Sequence, residues 1–259
     1  MSTEAAKRVL VIGAHNDDPE FNAGGLVARL HQLGWEARFI CVSHFRRYSK
    51  KYQGTDVEKT YTDPEQIAEY LRQDHLSAEI LGADKIHLYN PGNGHRTSYN
   101  QEDVFKLIDL IEEFNPDLAL IHWPHDNHYE HVQSAKLAMH ALSQSSCTCE
   151  VLAFEGGPWQ TSVYFNPDFI VNITPVMDTL NESLSVYNQL SANGKGLVKE
   201  KKVLSEYRGY MGGFINGEAY KILRFPCGKD PEMILPKLLG KDFRWGGSRQ
   251  YMFGEQYLF

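Results

Sequence analysis

Two short stretches concentrate the imidazoles and carboxylates of this chain. The first is Ala14-His15-Asn16-Asp17-Asp18-Pro19-Glu20. The second is Trp123-Pro124-His125-Asp126-Asn127-His128-Tyr129-Glu130-His131. His15 and Asp18 are three residues apart, and so are His128 and His131. The second pair shares one face if a helix begins near Asn127. A His–Asp pair plus one further His makes three protein ligands. That is the count of a catalytic zinc site, whose fourth position stays open for water. Asp17 and Asp18 are neighbours, so their side chains diverge. One can bind a metal while the other faces the bound water. The plainer alternatives are an N-cap carboxylate at 17 or 18 and a surface His-x-x-His.

Both stretches follow apolar runs that read as buried parallel strands, Arg8–Gly13 and Leu118–His122. Gly24–Leu33 has helical spacing and Glu36–Ser43 reads as the next strand, which makes one right-handed crossover unit. Helices are predicted over Glu65–Leu81, Gln101–Phe114, Tyr129–Leu142 and Met177–Leu190. Strands are predicted at Lys85–Tyr89, Glu150–Glu155 and Asp168–Ile173. This alternation argues for a Rossmann-like three-layer α/β sandwich with a mostly parallel sheet. In such sheets ligands bind beyond the carboxyl ends of the strands, so both stretches belong on one rim. Residues 191–259 carry no clear pattern. They are expected to pack against the sheet as a C-terminal elaboration (176–259) of a core at 1–175, in one domain spanning 1–259.

The chain has 259 residues, with 26 Lys+Arg, 33 Asp+Glu, 11 His and a formal charge of −7. At 42% hydrophobic and 23% charged it has a globular composition. Net acidity removes any general attraction to nucleic acid, and no apolar run reaches the length of a membrane span. Neither a signal peptide nor a disulfide framework is evident. Cys41, Cys147, Cys149 and Cys227 read as ordinary thiols, and the expected compartment is cytoplasmic. His31, His44, His75, His87, His95 and His140 read as surface or core residues.

Ala14-His15-Asn16-Asp17-Asp18 resembles the Ala-His-Pro-Asp-Asp signature of the PIG-L/LmbE-like zinc N-deacetylases, and Glu20 and Gly24-Gly25 resemble its continuation. Pro124-x-Asp126-x-His128-x-Glu130-His131 resembles the family's Pro-x-Asp-x-His-x-Asp-His motif. Weaker similarity runs through Ile80-Leu81-Gly82-Ala83 and Gly217-Glu218-Ala219-Tyr220. Asn16 stands where the motif has Pro, and Glu130 where it has Asp. The resemblance implies a small-molecule amino-sugar substrate of N-acetylglucosamine type, hydrolysed to acetate and a free amine by zinc-activated water. It implies His15, Asp18 and His131 as ligands of zinc, or of ferrous iron in the cell. Asp17 is implied as general base. His128, protonated, would meet the oxyanion, with Asp126 orienting it and keeping it cationic.

Other readings compete with this one. A dinucleotide-binding protein lacks support, because Gly13 to Gly25 holds no Gly-x-Gly-x-x-Gly and Asp17 and Asp18 would repel phosphate. A non-catalytic sugar-binding module and an amidase acting on a sugar-thiol or other N-acyl conjugate stay open. Selectivity is expected in the basic loop at 44–64, where Arg46 and Arg47 could hold a substrate phosphate or carboxylate. The aromatic tail (Trp245, Tyr251, Phe253, Tyr257, Phe259) could stack on a sugar, or pack internally or against a second subunit of a homo-oligomer.

Overall fold

The computed structural model describes residues 6–42, 63–89, 98–157, 162–187, 196–225 and 232–246. In chain order the elements are β1 (Arg8–Gly13), α1 (Asp18–Gln32), β2 (Glu36–Cys41), α2 (Pro64–Ile80), β3 (Ala83–His87), α3 (Gln101–Phe114), β4 (Leu118–His122) and α4 (Tyr129–Gln144). Then come β5 (Glu150–Phe154), β6 (Phe169–Asn172), α5 (Met177–Val186), α6 (Leu197–Gly212), β7 (Gly217–Arg224), α7 (Ile234–Leu239) and β8 (Phe243–Trp245).

One sheet holds these strands in the order β3-β2-β1-β4-β5-β7-β6-β8. The first five are parallel, and β7, β6 and β8 continue the sheet through antiparallel pairings. Strand alternation splits the core in two. Val9 and Val11 face α1, α2, α5 and α6, whereas Leu10 and Ile12 face α3 and α4. The result is the expected α/β sandwich of three layers. The chain leaves β1 toward β2 on one side and returns to β4 on the other. The carboxyl ends of β1 and β4 therefore flank the point where strand order reverses, the place where sheets of this kind bind ligands.

Local chemistry sets the boundaries. Asn100 Oδ1 accepts from the Asp103 N–H at the start of α3, and Asn115 in the left-handed region ends that helix before Pro116. Helix α1 starts at Asp18, six residues before the apolar spacing predicts it. Pro19 in the first turn needs no N–H donor there, and Asp18 and Glu20 suit the positive end of the helix. Gly13 is required by this early start, because a Cβ there would lie 2.7 Å from Pro19 Cδ. The C-terminal third is more than a covering, since β7 is inserted between β5 and β6.

Candidate metal centre

The loop after β1 and the first turns of α1 and α4 bring the two stretches together. The His15 and His128 ring centroids are 4.8 Å apart, His15 and His131 5.3 Å, and His128 and His131 4.5 Å. Helix α4 begins just after His128, with His131 in its first turn and buried. Asp126 sets that start, because its Oδ1 accepts the His128 N–H at 2.6 Å.

Asp18 is the hub. Its Oδ2 accepts the His15 N–H at 2.7 Å and lies 3.2 Å from His15 Nδ1. Its Oδ1 lies 3.5 Å from His131 Nε2. Burial opposes its charge, but the imidazoles of His131, His122 and His15 outweigh that and hold the carboxyl well below the usual range. The outer nitrogens of both imidazoles are backed by carboxylates. His15 Nε2 lies 3.1 Å from Glu130 Oε2, and His131 Nδ1 lies 3.2 Å from Asp126 Oδ2.

Carboxylates behind metal-ligating imidazoles fix ring orientation and leave the opposite nitrogen free to ligate. Here those opposite nitrogens both face Asp18, and the two groups that converge closely enough to hold a metal share His131. Atoms of His15, His128 and His131 lie within 4.8 Å of one another, and so do those of Asp18, His122 and His131.

His122 has no place in the expected site, yet it lies at its base, fully buried. Its Nε2 accepts the Ala14 N–H at 3.0 Å and lies 3.1 Å from Asp18 Oδ2. Its ring stacks on His131 and meets Phe154 edge-on. Burial and then His131 push it down to about 4, against the pull of Asp18. It ends the apolar run Leu118–His122, so it reads as strand. The signal that could have found it is its position at the carboxyl end of β4. Glu130 also goes unassigned in the sequence, and its contact with His15 gives it a role.

Asp17 occupies the N-cap position of α1 but makes no side-chain capping bond. Burial and the neighbouring Asp18 raise its carboxyl above the ordinary value, against His15. One expectation needs correction. Burial, then His15 and His131, push His128 down to about 4, so this arrangement disfavours a cationic His128. The Asp126 carboxylate holds His128 by its backbone N–H and engages the ring of His131. Arg46 and Arg47 fall outside the described residues, as do His44, His95 and the tail beyond 246. Trp245 packs edge-on against Phe243 and Phe169.

Residues 10–142 match the family model for PIG-L, described as GlcNAc-PI de-N-acetylase. The chain belongs to the PIG-L family. Among curated relatives, this PIG-L chain is 24% identical to a 4-oxalmesaconate hydratase of Pseudomonas putida over 188 residues, 66% of this chain and 69% of that protein. It is 27% identical to the diacetylchitobiose deacetylase of Thermococcus kodakarensis over 140 residues, 53% of this chain and 49% of that one. Among solved structures, the 4-carboxy-2-hydroxymuconate hydratase of Pseudomonas putida superposes with a TM-score of 0.69 at 22% identity. That match covers 88% of this chain and 100% of the other. Family and relatives are enzymes, and the His/Asp cluster of this PIG-L chain could bind a metal. No helix among the described residues is long and apolar enough to cross a membrane.

Proposed function

We propose that this PIG-L protein is a metal-dependent amide hydrolase that removes the N-acetyl group from an amino sugar of N-acetylglucosamine type. The observation that carries the reading is the pair of carboxylate-backed imidazoles facing Asp18, with Asp17 beside them and not engaged in capping. The family description and the chitobiose relative support the substrate class.

His15, Asp18 and His131 would hold the metal. His122, whose Nε2 lies 3.0 Å from the Ala14 nitrogen and 3.1 Å from Asp18 Oδ2, would back this set from the base of the site. Imidazole and carboxylate donors suit zinc, the metal proposed, and also ferrous iron. When bound, it would supply Lewis-acid polarisation of the acyl oxygen and lower the pKa of water. Asp17 takes the proton of the water that attacks the acyl carbon, and its raised pKa makes it a stronger base than a solvated carboxylate. It then returns that proton to the departing amine nitrogen, which cannot leave as an anion. His128, neutral, donates an N–H to the acyl oxygen as negative charge develops there. Arg46 and Arg47 are proposed as anchors for a substrate phosphate or carboxylate.

A carboxylate base beside a metal also suits the addition of water to a double bond, the reaction named for the Pseudomonas relative. The test is therefore a substrate panel with and without chelator. It contains N-acetylglucosamine, its glycosides, its phosphorylated forms and an unsaturated dicarboxylate. Acetate release that stops on chelation is expected. Chelator-insensitive release overturns the metal-dependent mechanism, and turnover of the dicarboxylate alone replaces deacetylation with hydration.

A further inference from the structure

Lys85 lies at the centre of β3 with its side chain fully buried. Its ammonium donates to Glu20 Oε1 and Asp74 Oδ1, each at 2.7 Å, and the Tyr187 hydroxyl oxygen lies 3.2 Å from it. It also donates to the backbone carbonyl of Asn16. The Tyr187 hydroxyl lies 2.9 Å from that same carbonyl and 2.6 Å from Asp74 Oδ1. The Asn16 side chain donates to the Tyr70 hydroxyl on α2. Asn16 is thus gripped from β3, from the end of α5 and from α2.

A buried ion cluster adds little stability over an apolar filling of the same shape. What this cluster does that an apolar filling could not is bind one carbonyl. That carbonyl belongs to the peptide joining Asn16 to Asp17. With Lys85 donating to it and the single Tyr187 hydroxyl proton shared between it and Asp74 Oδ1, the peptide plane cannot turn without breaking bonds in a site closed to water.

We propose that Lys85 is a positioning residue which, with Tyr187, clamps the Asn16 carbonyl and so fixes the backbone that carries Asp17. The kinetic consequence rests on the deacetylase reading. The clamp itself does not.

Two variants test it. Tyr187→Phe removes one donor and leaves every ion paired. The triple variant Lys85→Met/Glu20→Gln/Asp74→Asn removes the ammonium and its two carboxylates together, and an amide at position 74 keeps an acceptor for His87, whose Nε2 lies 2.8 Å from Asp74 Oδ2. Amide hydrogen exchange over residues 14–20 is expected to quicken by about tenfold or more in both, with the rest of the sheet as protected as in the parent. Zinc content should be retained and KM unchanged, while kcat falls by roughly 10–100-fold, the scale of a small misplacement of a reacting group.

Parent-like exchange at 14–20 in both variants overturns the clamp. So does faster exchange spread evenly over the sheet, which marks a merely structural cluster. Quickened exchange with unchanged kcat overturns the positioning role. If the parent protein deacetylates nothing, the exchange result still decides the clamp, and only the deacetylase reading fails.

Discussion

His131 presents opposite ring nitrogens to two carboxylates: Nδ1 lies 3.2 Å from Asp126 Oδ2, and Nε2 lies 3.5 Å from Asp18 Oδ1. Asp126 thereby decides which nitrogen carries the proton and which is left to ligate. Replacing it by Ala frees the ring to rotate and removes the acceptor for Nδ1–H. Asp126→Ala is expected to weaken metal binding by roughly 10–100-fold, the usual effect of losing such a partner. Competition with a fluorescent chelator measures this directly, and an unchanged affinity would show that His131 is no ligand.

Asp17 separates binding from chemistry. Its carboxylate neither caps α1 nor belongs to the proposed ligand set. Asp17→Asn is isosteric and cannot accept a proton at neutral pH. It should keep the parent's metal content while turnover falls by roughly 10²–10⁴-fold, the contribution typical of a general base. Near-normal deacetylation by the purified variant would remove Asp17 from that role.

Metal loading should release a proton. Burial works against an imidazolium at His15, but Asp18 and then Glu130 outweigh it and raise the pKa to about 10. The metal-free ring is therefore charged at neutral pH, and only the neutral ring can ligate. Binding near pH 7 is expected to expel roughly one proton per metal ion, and affinity should climb as pH rises toward 10. Calorimetry in buffers of different ionisation enthalpy counts that proton. A pH-independent affinity between 6 and 8 would mean that His15 is not a ligand.

Sequence pattern carried most of the frame because strong local signals mark it. Helix α3 and strand β4 have the bounds that their spacing predicts, Gln101–Phe114 and Leu118–His122, since Asn100 and Pro116 punctuate them. The start of α1 was masked by four polar or helix-breaking residue types in a row, Asp17 to Glu20. Strand β7 was illegible because its first half is buried on both faces and its second half is not, so no single period runs through Gly217–Arg224. At the site, His15, Asp18, His128 and His131 come together as their two motifs suggest. His122 and Lys85 do not announce themselves, because each is a polar residue inside a strand and its partners are distant in sequence.

Glu218 and Lys201 hold one turn of α1 from outside the helix, and that makes their removal a test of how the C-terminal third supports the site. The Phe21 carbonyl of α1 accepts from Lys201 Nζ, and one turn on the Gly25 and Leu26 N–H groups donate to Glu218 at 2.9 and 2.7 Å. The two side chains complete the bridge with a buried ion pair at 2.7 Å. A Cβ at Gly25 would sit 2.7 Å from Glu218 Oε1, which is why glycine stands mid-helix there. Glu218→Ala strands the Lys201 charge and should destabilise the fold by about 3–5 kcal/mol. For a chain of this size that lowers Tm by roughly 6–20 °C. The double variant Glu218→Ala/Lys201→Met leaves no buried charge unpaired, and the Tyr220 hydroxyl loses its acceptor equally in the single and the double variant. The Tm of the double variant should therefore lie above that of Glu218→Ala alone, a non-additivity expected of direct partners. Calorimetric melting of the parent, both single variants and the double decides it, and strictly additive losses would show that the ion pair does not act as a bridge.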